Sequence, residues 1–327
     1  MTLSCCPEKP SPKTKATNRP MTHHNQLDRI DRARGALMGL AVGDAIGTTV
    51  EFMPRGSFAP LTDMVGGGPF NLLPGQWTDD TSMALCLGAS LLEHGFDLAD
   101  QIFRYLQWHD EGYMSSNGKC FDIGLATSAA LERYRATGES RAGSVKPDSA
   151  GNGSIMRLAP VPIYYIDTPA LALKYSAEQS KTTHRAPECL MACQLMSEVM
   201  LRALQGLPKT DVFAASQQDL PLSPALQAIA RGDYKSKVEA DIEGSGYVVA
   251  SLEAALWCFW NTTNFKDCVL LAANLGDDAD TTAAVAGQLA GAFYGESGIP
   301  ASWLQKLTMA TEIGLLAEQL GVCKPEQ

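Results

Sequence analysis

The stretch GDDADTTAAVAGQLAGAFYG, residues 276–295, decides the fold. Small and apolar residues follow its acidic start without a break, which is typical of a buried helix. Gly287, Gly291 and Gly295 recur at every fourth position, and each glycine inside a helix costs about 1 kcal/mol relative to alanine. Such a helix is favourable only if its bare face packs closely against another element. We therefore expect it to lie in close contact inside a helical bundle.

Most of the remaining chain also shows helical patterns. LDRIDRARGALMGLAVGDAIG (27–47) places its apolar residues on one stripe, and TSMALCLGASLLEHG predicts a helix over 81–95. VPIYYI (161–166) is the best strand candidate, although two prolines in and before it argue against a central strand. We predict an all-α fold, a single multi-helix domain over residues 27–327.

Composition excludes several classes of protein. The chain has 327 residues, of which 45% are hydrophobic and 19% charged, so it can bury a sizeable core and is not disordered as a whole. Its 26 basic and 36 acidic residues give a net charge of −10, whereas nucleic-acid binders are usually basic. No apolar run has the length of a membrane span. We therefore predict neither a nucleic-acid partner nor a membrane.

The cysteines indicate the compartment. There are nine, an odd number, without a CxxC pair or a regular framework spacing. The start of the chain also lacks the apolar segment of a signal peptide. Free thiols in a chain of this length are typical of a reducing environment, so we expect a cytoplasmic protein.

Residues 1–26 differ from the rest. They contain four prolines, and their four basic residues and one acidic residue give a net charge of +3, which leaves −13 on the remainder. Few core-forming residues occur in this segment. We expect a flexible basic leader that does not fold alone, or an arm that docks on an acidic partner.

Two acidic motifs stand immediately before apolar helices. The first is Thr78-Asp79-Asp80-Thr81 and the second is Asp277-Asp278-Ala279-Asp280-Thr281. Helix caps and solvated turns account for some acidic residues at such places. However, carboxylates and hydroxyls are the ligands that Mg²⁺ and Mn²⁺ prefer, and an acidic cluster between core segments is costly without a cation. If the motifs face each other, they suffice for a two-metal site.

Four further positions carry weaker signals. A turn after Gly43 and Gly47 leads to Glu51, and GNGS (151–154) allows a tight loop that a ligand can approach closely. Asp122 stands among apolar neighbours, where a helix cap is the alternative, and His184 follows two threonines, where a structural role is the alternative.

The order of these motifs resembles the ADP-ribosylglycohydrolase family. The matching segments are GDAIG…E, WTDDTSMAL, CFDIG, GNGSIMRLAPV, THRAPEC and NLGDDADTTAAVAGQLAGAFYG, between about Arg32 and Gly295. The resemblance implies an all-helical fold with a centre of two divalent metal ions, Mg²⁺ or Mn²⁺. The resemblance does not extend to residues 1–26.

The resemblance also implies roles for individual residues. The metal ligands would be Thr78, Asp79, Asp80, Asp278, Asp280 and Thr281. The catalytic residues would be Glu51, Asp79, Asp278 and Asp122. The substrate-binding residues would be Asp122, Gly151, Asn152, Gly153, Ser154, Arg157 and His184. Relatives often carry glycine at Asp277, so no ligation is assigned there, and Asp122 is the candidate partner for a guanidinium because guanidinium pairs with carboxylates.

The implied activity is a metal-dependent hydrolysis of the N-glycosidic bond between ADP-ribose and a protein arginine. This reaction reverses mono-ADP-ribosylation of a protein substrate. The family includes immunity proteins against ADP-ribosyltransferase toxins, and residues 1–26 would suit contact with a cognate transferase. The alternatives are hydrolysis of serine-linked or small-molecule-linked ADP-ribose, and a non-catalytic binder that blocks a transferase.

Overall fold

A computed structural model describes residues 23–214 and 220–323. These residues form fourteen α-helices and five short 3₁₀ helices, and among them only isolated β-bridges occur, with no β-strand. The α-helices are α1 His23–Gly47, α2 Asp79–His94, α3 Leu98–Glu111, α4 Leu125–Thr137, α5 Pro160–Tyr164, α6 Pro169–Ser180, α7 Pro187–Leu204, α8 Lys209–Val212, α9 Pro224–Arg231, α10 Val248–Asn261, α11 Phe265–Ala273, α12 Ala279–Tyr294, α13 Ala301–Lys306 and α14 Ala310–Val322. The 3₁₀ helices are Thr48–Val50, Pro147–Ser149, Asp233–Ser236, Glu239–Asp241 and Glu296–Gly298. The predicted all-α fold is confirmed.

Helices α1 and α12 form the centre of the bundle and cross at their glycines. A Cβ added at Gly291 would lie 1.8 Å from the carbonyl oxygen of Gly35, and one added at Gly287 would lie 2.1 Å from that of Gly39. The predicted close packing of the glycine face is therefore confirmed, and its partner is the N-terminal helix. Backbone contact at this distance leaves no room for a side chain at these glycines of either helix.

The remaining helices surround this pair. Helices α7, α10 and α11 pack on α12, while α14 and α2 pack on α1. The C-terminal end of α1 meets the start of α12, since a Cβ added at Gly47 would lie 2.3 Å from the carbonyl oxygen of Ala279. Helix α2 also packs on α12, and the hydroxyl of Thr78, just before α2, lies 3.3 Å from Asp280 Oδ2, so the N-termini of α2 and α12 lie at the same end of the bundle.

The predicted strand at 161–166 is wrong. Its first residues belong to the short helix α5, Pro160–Tyr164, which is completely buried. Proline at the first position of a helix costs no hydrogen bond, because the missing N–H would have no partner there. The prolines thus start a helix here.

Several other predictions concern the chain ends, the cysteines and membranes. Helix α1 begins at His23, and the part of the predicted leader before it, residues 1–22, lies outside the described residues. All seven cysteines in the described ranges are free thiols, as expected. No helix in these ranges has both the length and the apolar character needed to cross a membrane.

Candidate metal centre and active site

The N-termini of α2 and α12 meet at a cavity of about 400 Å³. Ten of the predicted site residues line it: Glu51, Asp79, Asp122, Gly151, Asn152, Gly153, His184, Asp278, Asp280 and Thr281. Segments far apart in the chain supply them, so the predicted meeting of the two acidic motifs is an observed feature of the fold.

The α12 side of the cavity carries Asp278, Asp280 and Thr281. The side-chain amide of Asn152 donates to Asp278 Oδ2 at 2.5 Å and so fixes this carboxylate from the GNGS loop. Asp280 Oδ1 accepts the N–H of Thr281 at 2.7 Å, and its Oδ2 lies 3.3 Å from the hydroxyl of Thr78 on the α2 side. The two motifs are therefore in direct contact.

On the α2 side, Asp79 lines the cavity while Thr78 and Asp80 lie behind it. Asp80 is fully buried, and its Oδ2 lies 3.4 Å from the hydroxyl of Thr281. Its other oxygen, Oδ1, is buried and receives no hydrogen bond from any described residue. No N–H or hydroxyl of the described residues donates to Asp122 Oδ2 either. Two buried carboxylate oxygens without donors fit a site that holds a cation.

Asp44, from α1, holds the start of α2 in place. Its Oδ1 accepts the backbone N–H and the hydroxyl of Thr78 at 2.8 and 2.9 Å, and its Oδ2 accepts those of Thr81 at 3.0 and 2.6 Å. The N-cap residue Thr78 makes no side-chain cap of its own. The Asp44 side chain takes its place, since it accepts the free N–H of Thr81 in the first turn of α2. Asp44 was not among the predicted site residues, although an acidic residue inside the apolar run LMGLAVGDAIG is a signal in the sequence.

The carboxylates of Glu51, Asp122 and Asp280 form the densest acidic group. Each offers an oxygen, and these oxygens lie within 4.8 Å of one another. Burial, followed by the charge of Asp122, raises the pKa of Glu51 to about 9. Burial also raises the pKa of Asp122 to about 7. At neutral pH Glu51 therefore holds a proton that it can share with Asp122, as long as no cation replaces that proton.

Asp122 lies in the loop before α4 but does not cap that helix. The N-cap residue of α4 is Gly124, which makes no side-chain cap. The helix-cap alternative for Asp122 is therefore not supported, and its carboxylate points to the acidic group instead.

The GNGS loop, residues 151–154, borders the cavity and rests on His184. A Cβ added at Gly153 would lie 2.6 Å from the imidazole Cε1, so only glycine allows this approach. The Nδ1 atom of His184 lies 2.9 Å from the hydroxyl of Thr183, and burial lowers the imidazole pKa to about 3. His184 is thus a neutral ring that supports the loop and faces the cavity.

Arg157 and Ser154 lie behind the loop and do not line the cavity, which departs from their predicted contact with substrate. The fully buried guanidinium of Arg157 donates to the carbonyl oxygen of Gly153 and to the hydroxyl of Thr182, each at 3.0 Å. Ser154 accepts a hydrogen bond from Ser180 at 2.7 Å. Their placement makes both of them supports of the loop.

A larger groove of about 890 Å³ adjoins the acidic cavity. The two share Leu125, Ala126 and Gly151 in their walls. Tyr247 and Glu188 line this groove but not the acidic cavity, and the tyrosine hydroxyl donates to the carboxylate at 2.5 Å. A ligand longer than the acidic cavity can therefore extend into this groove.

Comparisons with known proteins agree with this geometry. The family model described as ADP-ribosylglycohydrolase matches residues 25–326. ADP-ribosylarginine hydrolase Tri1 of Serratia proteamaculans (strain 568) is 46% identical over 98% of this chain and 87% of its own length. The protein of the same name from Pseudomonas putida (strain GB-1) is 49% identical over 89% of this chain and 78% of its own length.

A solved structure shows the same fold. The structure titled "ADP-ribosylglycohydrolase-related protein complex" superposes with a TM-score of 0.80 at 44% identity, over 90% of this chain and 98% of that chain. With a family model that spans nearly the whole chain and relatives this similar, the chain belongs to the ADP-ribosylglycohydrolase family.

Proposed function

We propose that this chain hydrolyses the N-glycosidic bond between ADP-ribose and the arginine side chain of a modified protein. The observation that carries the proposal is the cavity where both acidic motifs meet, together with the groove that continues from it. Two relatives at 46% and 49% identity are named ADP-ribosylarginine hydrolase, which supports arginine as the linkage.

The residues present fit two divalent cations, Mg²⁺ or Mn²⁺. The donor set is made of carboxylates and hydroxyls, which such cations prefer, and two of the carboxylate oxygens are buried without a donor. The proposed ligands are Thr78, Asp79, Asp80, Asp278, Asp280 and Thr281, with Glu51 and Asp122 adjacent. A cation held there would supply positive charge that polarises the oxygens of ribose and water.

The protein's own groups then account for the rest of the reaction. The bond between ribose C1 and the guanidine nitrogen breaks, water supplies the hydroxyl at C1, and the remaining proton of water goes to the leaving nitrogen. Positive charge develops at C1, and the carboxylates of Asp278 and Asp280 face the cavity where they stabilise it. Glu51 and Asp122 line the same cavity beside Asp280 and are placed to accept and return protons.

The orientation of the substrate depends on buried supports. Asn152 fixes Asp278, Asp44 fixes the start of α2, and Arg157 fixes the carbonyl of Gly153. Each of these bonds is inside the fold, so the carboxylates keep their positions without substrate. Catalysis by preformed charges needs this rigidity, because reorganisation during the reaction would cost free energy.

The test is a release assay with three substrates. Purified protein is incubated with ADP-ribosyl-arginine, ADP-ribosyl-serine and O-acetyl-ADP-ribose, each with Mg²⁺ and with Mn²⁺, and free ADP-ribose is measured. We expect release from the arginine conjugate and its loss in excess chelator. Release from another conjugate alone would assign a different linkage, and binding of ADP-ribose without release from any conjugate would make the chain a binder.

The role of residues 1–26 is a separate proposal. The Serratia proteamaculans relative aligns over 98% of this chain, whereas the family model begins at residue 25. We propose that the leader contacts a cognate ADP-ribosyltransferase and serves immunity against it. Deleting residues 1–22 should weaken binding to that transferase and leave hydrolysis of ADP-ribosyl-arginine unchanged, and equal binding of both proteins would contradict the proposal.

A further inference from the structure

We infer that Phe52 determines specificity for arginine: its ring forms the surface on which the guanidinium of the modified residue rests. This inference depends on the proposed function and names the part of the site that recognises the leaving group. Phe52 directly follows Glu51 in the chain and lines the acidic cavity. Phe52 is 66% exposed, so it stands at the mouth of the cavity with much of its surface open to a ligand.

The backbone at Phe52 adopts a conformation that an aromatic residue rarely takes. Its φ is +62°, in the left-handed region that favours glycine and asparagine. Two main-chain hydrogen bonds hold it there: the Phe52 N–H donates to Asp277 O at 2.7 Å, and the Asp277 N–H donates to Met53 O at 2.8 Å. The fold therefore fixes a strained, exposed aromatic residue at this position, and packing gives no reason for a ring there.

The shape of the site assigns the leaving group to this end of the cavity. The wall shared with the larger groove is made of Leu125, Ala126 and Gly151, whereas Phe52 lines only the acidic cavity. ADP-ribose is elongated, and the groove of about 890 Å³ is the larger space for its ADP part. With ribose at the acidic group, the atom attached to C1 then emerges on the side of Phe52.

A guanidinium matches what this end of the cavity offers. It is flat and cationic, it stacks on aromatic faces, and it pairs with carboxylates. Phe52 provides the face, and Glu51 and Asp122 provide the carboxyl groups beside it. A serine-linked substrate has no cation at this position, so the ring distinguishes the two linkages.

The experiment compares Phe52→Leu and Phe52→Trp with the wild type. KM and kcat are measured with ADP-ribosyl-arginine, and the inhibition constant is measured for free ADP-ribose, which lacks the guanidinium. We expect Phe52→Leu to raise KM about tenfold while leaving the inhibition constant within about twofold, and Phe52→Trp to keep the wild-type KM. Phe103→Leu is the matched control, because Phe103 is also an exposed aromatic residue, at 51%, and lines neither space, so it should leave both constants unchanged.

Three outcomes decide the inference. An unchanged KM in Phe52→Leu would overturn it, and so would an inhibition constant that rises as much as KM, since the ring would then contact ADP-ribose itself. A wild-type protein that releases no ADP-ribose from arginine would overturn the proposed function as well. Circular dichroism of each variant shows whether the fold is retained, and the tryptophan variant tests the ring independently of any loss in the leucine variant.

Discussion

Helices α2 and α12 begin with the same kind of sequence, acidic residues followed by threonine, yet the two N-termini are held differently. At α2, four hydrogen bonds from Thr78 and Thr81 converge on Asp44. At α12, Asp278 accepts a hydrogen bond from Asn152 and faces the cavity. The first end is tied to the core through Asp44 and places Asp79 at the cavity, whereas the second turns both Asp278 and Asp280 to the cavity. A similar sequence pattern is therefore held by the core at one end and is open to substrate at the other.

Asp280→Asn should have the largest effect, because Asp280 belongs to the open end and also contacts the tied one. Its carboxylate lies in the group formed with Glu51 and Asp122 and is 3.3 Å from Thr78. We expect kcat with ADP-ribosyl-arginine to fall about a thousandfold. Calorimetric titration of the variant with Mn²⁺ should also show weaker binding. Near-normal turnover would show that the two ends do not act together.

Asp44→Asn should cost stability where Asp278→Asn does not. An amide in place of Asp44 keeps one acceptor and turns an NH₂ group toward buried donors, which we expect to lower the free energy of unfolding by about 2–3 kcal/mol. Asn at 278 keeps an acceptor for Asn152 and removes one of several repelling charges, so stability should hold while activity falls. Urea denaturation and turnover are measured for both, and equal losses of stability would remove the distinction.

The acidic group of Glu51, Asp122 and Asp280 should make the stability of the metal-free protein depend on pH. The folded-state pKa values of Asp122 and Glu51, about 7 and about 9, lie above the ordinary values of about 4, so the folded state binds more protons across this range. Stability should therefore fall as pH rises through 7 and 9.

The measurement is the urea midpoint of chelator-treated protein at about pH 5 and about pH 8, with and without added Mg²⁺. Bound Mg²⁺ favours the ionised carboxylates, so it should reduce the decline. The double variant Glu51→Gln, Asp122→Asn should also show a flatter profile and a low turnover. A decline of the same size in that variant would assign the pH dependence to other groups.

Asp277→Gly should have the smallest effect, although the residue adjoins Asp278. Asp277 is exposed, and within the described ranges only its backbone is engaged, in the hydrogen bonds to Phe52 and Met53. Its φ of +56° suits glycine better than aspartate. We expect kcat/KM within about twofold of wild type and no loss in melting temperature. A large loss of activity would make Asp277 a member of the site.

The sequence predicted the carboxylates that line the cavity more fully than the residues that support them. Acidic residues before apolar helices identify Asp79, Asp278 and Asp280. The role of a side chain that faces a cavity depends on its residue type, so it can be recognised in the sequence. The supporting residues can be recognised only once their hydrogen-bond partners are known. Arg157 donates to a backbone carbonyl oxygen, and since every residue has such an oxygen, the sequence does not show which one accepts. The partner of the glycine helix α12 was likewise not predicted, since spacing shows a bare face but not what packs on it.

The crossing of α1 and α12 also has a consequence for synthesis of the chain. Arg34 and Glu296, an ion pair beside this crossing, are 262 positions apart. At about 5–20 residues per second, a ribosome takes roughly ten to fifty seconds to add that length. During this time α1 has left the ribosome without its partner, and the acidic cavity lacks one of its two helices. Activity can therefore begin only once the C-terminal part of the chain has emerged, and a nascent chain stopped earlier would be inactive.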